Sequence, residues 1–202
     1  MHKLLVALVF ALCPFTLFAA DDEKQYFAVF MDGKKIGHAI NSRTVTPTQV
    51  TTSVSLSLSI TRAGMAINVG QSEITYETSK GKPIGFKTIV EMSGMKQSVA
   101  GKILGDKIQV TADVAGTSQT QSLDWPQGAL MSEGLRLLQL EKTLAPGTKY
   151  SAKVFSPSAM SAIEAEMKIV GPESVDLLGR VVKLTKTETT LILPTGQMTQ
   201  IA

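Results

Sequence analysis

Cysteine is almost missing from this chain: there is one, Cys13, and it falls in the apolar leader described below. Beyond the leader no disulfide, thiolate nucleophile or cysteine-based metal site can form. Histidine is nearly as scarce, with His2 in the leader and His38 the one imidazole after it. Aromatics make up 5% of residues, and Lys plus Arg (20) nearly balance Asp plus Glu (17). With no basic cluster to track a phosphate backbone and few rings to stack on bases, nucleic acid is not an expected partner. No apolar run after the leader approaches the about 20 residues of a membrane span, so no integral membrane segment is expected in the mature chain.

What is present begins with MHKLLVALVFALCPFTLFAADDEKQ: a basic Lys3, an apolar stretch over 4–13, and small Ala19 and Ala20 ahead of an acidic pair. That is the pattern of a cleaved secretory signal peptide over 1–20, with the cut in the Ala19/Ala20 region. Cys13 does not read as a lipidation site, because Leu12 rather than a small residue precedes it. The expected localisation is periplasmic or secreted. Residues 21–202 are then enough for a single β-rich domain with its own core.

The clearest local pattern is VTTSVSLSLSIT, in which Val50, Val54, Leu56, Leu58 and Ile60 share one parity and hydroxyl residues the other. A period of two places one set on each face of a strand, one buried and one wet but uncharged. Comparable runs follow at Met65/Ile67/Val69, Ile74/Tyr76, Ile84/Phe86/Val90/Met92 and Ile108/Val110/Ala112/Val114, separated by turn clusters such as Ser79-Lys80-Gly81-Lys82-Pro83 and Gly105-Asp106. The apolar parity switches near Gly70, where a bulge or twist is expected.

One segment changes period. In ALMSEGLRLLQLEK, Leu130, Met131, Leu135 and Leu138 form a helical stripe between Pro126 and the Ala145-Pro146-Gly147 stop, predicting one short helix around 130–141, although Gly134 costs it about 1 kcal/mol relative to alanine. Strands resume over 150–155, 163–169, 181–189 and 198–201. The expected fold is mainly β: a single antiparallel, strongly curled sheet, a partial barrel of the lipoprotein-carrier kind, because one helix cannot cover so long a sheet.

Chemistry is thinly represented. Asp32-Gly33 between alternating runs predicts a two-residue hairpin turn, which would set Val29 opposite Ile36 and His38 opposite Phe27, on the face of Phe27, Val29 and Met31. A lone imidazole packed on a phenyl ring has neither an orienting group nor a nucleophile to serve. Ser72 and Ser118 lack the second glycine of a nucleophile elbow. Glu164 and Glu166 in IEAEMKI imitate paired glycosidase carboxylates, but Lys168 continues their row and Ile163, Ala165, Met167 and Ile169 fill the other, which is a solvated strand face. The Gly-Lys pairs at Gly33, Gly81 and Gly101 lack the glycine of a phosphate loop. No catalytic, cofactor-binding or metal residue is predicted, no cofactor is expected, and the ligand-binding residues are undefined. The methionines past Met1, with Met92 and Met95 in EMSGM, are either core filler or the lining of an adaptable apolar pocket.

Three stretches carry a family resemblance: FMDGKKIGHA, ALMSEGLRLLQLEKTLAPGTKYSAKVFSPS and the strand pair over 175–189. Together they resemble the β-rich N-terminal region of exported bacterial transglutaminase-like proteins, which precedes a papain-like catalytic domain. The resemblance implies a noncatalytic accessory module, since that family's catalytic residues reside downstream; QMTQIA halts while still alternating, so either this strand closes the sheet or the chain is a truncated or split relative of a longer protein. Three functions follow: a binding or accessory module meeting a protein partner through strand edges, a carrier of a lipid or other apolar ligand, and a fragment of a transglutaminase-like enzyme without its catalytic domain. An enzyme in its own right ranks last.

Overall fold

A computed structural model describes residues 22–201 apart from 32, 63, 64, 93, 115, 178, 194 and 195; the leader therefore lies outside the described residues. Among the described residues there are twelve strands, in two antiparallel sheets, and one helix. The first is a meander of eight, in sequential order: β1 (Asp22–Met31), β2 (Lys34–Val45), β3 (Val50–Arg62), β4 (Met65–Glu77), β5 (Pro83–Met92), β6 (Met95–Leu104), β7 (Lys107–Val114) and β8 (Thr117–Asp124). After it come α1 (Ser132–Glu141), β9 (Lys149–Ser156), β10 (Ser161–Leu177), β11 (Arg180–Leu193) and β12 (Gly196–Ile201), the last four forming a sheet in the order β12-β11-β10-β9.

The chain clusters into two compact units. The larger holds the eight-stranded sheet, α1 and the hairpin segment 152–164; the smaller holds 143–151 and the described residues from 165 to 201. In the smaller unit, Met167, Ile169 and Leu191 are buried, Lys168 pairs with Glu188 at 3.0 Å and Lys186 with Glu173 at 2.9 Å, and β11 and β12 pair from Leu193↔Gly196 to Glu188↔Ile201.

Within the larger unit, register assigns the faces, because directly paired residues put their side chains on one side of the sheet. Val50, Thr52, Val54, Leu56, Leu58 and Ile60 share what we term the front face with Phe86, Ile108 and Val110; Ser53, Ser55, Ser57 and Ser59 look out from the back. The core lies on the front near α1, where Phe86, Ile108, Val110, Ala129, Met131 and Phe155 are buried and Trp125 and Met160 pack against them. Phe155 meets Phe86 at 5.4 Å and Trp125 at 4.8 Å between ring centroids, tilted contacts that favour the ring quadrupoles.

The mainly β, antiparallel reading holds, but the single curled sheet does not. There are two sheets, and neither closes or curls strongly. The physical reason is a second cover: the β9–β10 hairpin lays Phe155, Met160 and Ala162 on the front face beside Met131, so the sheet need not wrap on itself to bury that end. The helix also starts later than its apolar stripe. Leu130 is extended and bridges Val154 in parallel, its N–H donating to the Lys153 carbonyl at 2.8 Å and its carbonyl accepting from Phe155 N–H at 2.8 Å.

Gly134, unfavourable in a helix on propensity, is there for close approach. A Cβ on Gly134 would lie 3.0 Å from the Gly81 carbonyl oxygen, and one on Gly81 would lie 2.6 Å from the Gly134 Cα. The β4–β5 turn thus rests directly on the first turn of α1.

Candidate functional site

Three zones of the large sheet carry polar or exposed apolar groups, and the strands bring each together by register. The first fastens α1 to the front face. Glu77, at the end of β4 and 0% exposed, accepts hydrogen bonds from the backbone N–H groups of Glu133 (2.7 Å) and Gly134 (2.9 Å). It thereby caps a helix whose own N-cap residue, Met131, supplies no side-chain bond. Glu133, 1% exposed, is gripped from both sides: Arg43 donates to its two oxygens at 2.9 and 3.0 Å, and Arg136 at 2.9 and 2.7 Å. Burial raises the Glu77 pKa above the ordinary carboxylate value despite the two N–H donors. For Glu133 burial also pushes upward, but the hydrogen bonds and charges of Arg136 and Arg43 outweigh it and hold the group below that value. Every carboxylate oxygen is engaged internally, so the cluster locks an element and offers no free group for chemistry.

The second zone seats the tip of the β9–β10 hairpin. Ser158 Oγ donates to Glu73 at 2.6 Å and accepts from Gln71 Nε2 at 3.2 Å. Burial raises the Glu73 pKa, with the hydroxyl and backbone N–H of Ser158 working against it. A hydroxyl on a carboxylate has the outline of a nucleophile and base, but no imidazole reaches it: His38 is on the back face. Docking the hairpin accounts for the contact. These residues escaped the sequence reading, although their signal is visible: Gln71, Glu73, Thr75 and Glu77 continue the parity of Met65, Ile67 and Val69. The bulge expected at Gly70 is absent, since the β3–β4 ladder runs unbroken from Val50↔Glu77 to Arg62↔Met65. The parity switches because polar residues are turned inward to receive α1 and Ser158.

The third zone is the rest of the front face, beyond Gln71. Val29, Gly37, Leu58, Val69, Met92 and Met95 form one lateral row across β1 to β6. Ile60 and Ile67 pair in the next row and Met65 follows. Met65 is 70%, Met92 48% and Met95 62% exposed, while Val29, Leu58, Ile60, Ile67 and Val69 are half-buried, so this half is covered less fully than the half under Phe155 and Met131.

His38 is not where the turn alone would put it. Met31 does pair with Lys34 across a two-residue connection, of which Asp32 lies outside the described residues and Gly33 has φ +73°. A register shift between Val29 and Phe30 then leaves Ile36 unpaired, so Val29 faces Gly37 and His38 faces Ala28, not Phe27. That one-residue slip sends the imidazole to the opposite face, where it is exposed. It joins a back-face row of Ser57, Gly70, Glu91 and Lys96, which borders a groove of about 590 Å³. Glu91 pairs with Lys96 at 3.2 Å, and its strand stands three spacings from β2, about 14 Å, too far to orient His38. Ser72 bonds Ser55 at 3.0 Å and Ser118 bonds Asp113 at 2.9 Å, each in a ladder pair. Glu164 and Glu166 are exposed while Ala165 and Met167 are buried, as on a solvated strand. Among the described residues, no three His, Cys, Asp or Glu gather to hold a metal, and no helix is long and apolar enough to cross a membrane.

No family model matches this sequence, and no curated protein does. Among solved structures the chain is similar to a beta-barrel-like protein of domain of unknown function DUF1849 from Brucella abortus, at 12% identity and a TM-score of 0.60, over 85% of this chain and 80% of that one. At that identity the likeness concerns the fold. It overturns the transglutaminase resemblance: the neighbour over most of the chain is a barrel-like β protein, and the turn glycines, short helix and strand edges that suggested the other family are features any meander of this kind needs.

Proposed function

We propose that this protein is a noncatalytic β-domain, exported by its leader, that holds a flexible apolar ligand of the acyl-chain type against the open half of the front face. The observation that carries the reading is the row from Val29 to Met95, apolar in every strand it crosses and ending in two exposed methionines set directly opposite each other. Exposed methionines ending a half-buried apolar row mark a place to be covered, and unbranched, polarizable methionine adapts to ligands without a fixed shape. The leader pattern supports a periplasmic or secreted setting, and a barrel-like fold is compatible with apolar cargo.

Native mass spectrometry after gentle purification of the exported protein should find it carrying a mass in the lipid range, and it should take up cis-parinaric acid with a rise in fluorescence. Replacing Met92 and Met95 together by lysine should weaken that uptake at least about tenfold, the effect of losing about 1.4 kcal/mol, while leaving the fold intact. A wild-type protein that neither carries a lipid nor binds the probe would remove the proposal.

A further inference from the structure

The two edges of the eight-stranded sheet are built differently. β1 presents Lys24 and Glu23 and is broken by the register shift between Val29 and Phe30, devices that discourage another strand from pairing. β8 has none. Its register with β7 is continuous from Lys107↔Asp124 to Val114↔Thr117, and from Thr117 to Leu123 it contains no charge, proline or glycine. Every second residue of an edge strand aims its N–H and C=O away from the sheet, and among the described residues no strand pairs with the outer side of β8. An edge with seven successive residues free of any guard is a template for a further strand.

We infer that β8 is a homodimer interface: β8 of a second copy adds to it antiparallel about a two-fold axis, joining the two large sheets edge to edge. The sequence of the strand favours its own copy as the occupant. An axis at Thr120 sets Gln119 opposite Gln121 and Ser118 opposite Ser122; an axis at Gln121 sets Thr120 opposite Ser122. In both registers amides or hydroxyls face each other at the centre, Leu123 meets Thr117 or Gln119 further out, and no like charges are paired; Thr111 and Thr120 already pair in this way across β7 and β8 at 3.1 Å. A two-fold contact also closes, since each copy satisfies the other's open edge and leaves no new one. This contact is independent of the apolar row on β1 to β6. Strand pairing alone buries less than the about 800 Å² per partner of a standard interface, so the dimer forms in the micromolar range or above.

The near absence of cysteine makes the test direct. In a Cys13→Ser background, Thr120→Cys or Gln121→Cys at the axis brings two thiols within disulfide reach. One of the two should yield a disulfide dimer on mild oxidation, while Ala28→Cys on β1 stays monomeric. Sedimentation equilibrium should show a concentration-dependent dimer for the wild type, weakened at least about tenfold by Gln119→Lys with Gln121→Lys, in a variant whose circular dichroism is unchanged. A wild type monomeric up to about 500 μM, a lysine variant that associates equally well, crosslinking through Ala28→Cys alone, or failure of both axis cysteines would each overturn the inference.

Discussion

Two halves of one face, on the same strands, meet opposite fates. Near α1, Phe86 on β5 is 1% exposed beneath Phe155; at the far end of β5, on the same side, Met92 stands 48% exposed. Alternation is equally good in both halves, so the pattern that makes a strand does not decide what covers it. Cover comes from elsewhere in the chain: Met131 just ahead of α1, and Phe155 and Met160 from the β9–β10 hairpin. Along β4 runs a band of polar residues, buried Gln71, Thr75 and Glu77 with Glu73 among them, in which Thr75 is level with Phe86 and Gln71 is the member next to the Val69–Met92 row. The band is where cover is fastened, through Ser158 to Glu73 and through the N–H groups of α1 to Glu77. Beyond its last member, Gln71, which holds Ser158, the open half begins.

Truncating one side chain in each half should give very different losses. Phe155→Ala removes a ring packed against both Phe86 and Trp125 and should cost about 3–5 kcal/mol. Met95→Ala, at an exposed position, should stay within about 0.5 kcal/mol. Urea unfolding followed by tryptophan fluorescence measures both, with Trp125 as the single reporter. Similar costs at the two sites would mean that the far half is covered after all.

A smaller loss is expected in the fastening band. Glu133→Ala strands Arg43 and Arg136, and should cost about 3 kcal/mol, the low end for breaking a buried charge pair, because both guanidiniums keep some access to water (12% and 19%). The pH dependence has a definite sign. Because the folded-state pKa of Glu133 is lowered, its contribution is fully present above the ordinary carboxylate value of 4.5 and fades as pH falls through the lowered one. The gap between wild type and variant should therefore be constant from neutral pH to about 5 and narrow under acid. A gap that widens on acidification would contradict the double arginine grip.

Much of the large sheet was legible from period alone: β3, β4, β5 and β7 carry alternating apolar residues, and the helix was bounded by Pro126 and the 145–147 stop. β6 and β8 were not, because MKQSVAGKIL and TSQTQSLD have too few apolar residues at one parity to register. They are strands by virtue of their neighbours, which is how tertiary context overrides local preference. The position of His38 was beyond reach for another reason: the shift at Val29/Phe30 is one residue long and leaves no mark in composition, yet it inverts a face. The polar band was written in the sequence and misread, since a carboxylate at a core parity looks like a change of parity until its partners, 56 and 85 residues away, are known.

The smallest effect is expected at Gly70. A glycine where the apolar parity switches suggests a bulge, and a bulge there would resist any side chain. In the structure Gly70 has no positive φ, pairs regularly with Ser57 and Glu91, and would place a Cβ no closer than 3.6 Å, to the Glu91 Cβ, an ordinary contact. Alanine then fits without strain and removes backbone freedom from the unfolded chain, so Gly70→Ala should stabilise the protein by about 0.4–1 kcal/mol. A rise of a few degrees in Tm is the expected reading. A loss instead would mean that the ladder at Gly70 is irregular, and the inward turn of Gln71, Glu73 and Glu77 would then owe itself to a kink in β4 rather than to the groups that Ser158 and α1 bring to meet them.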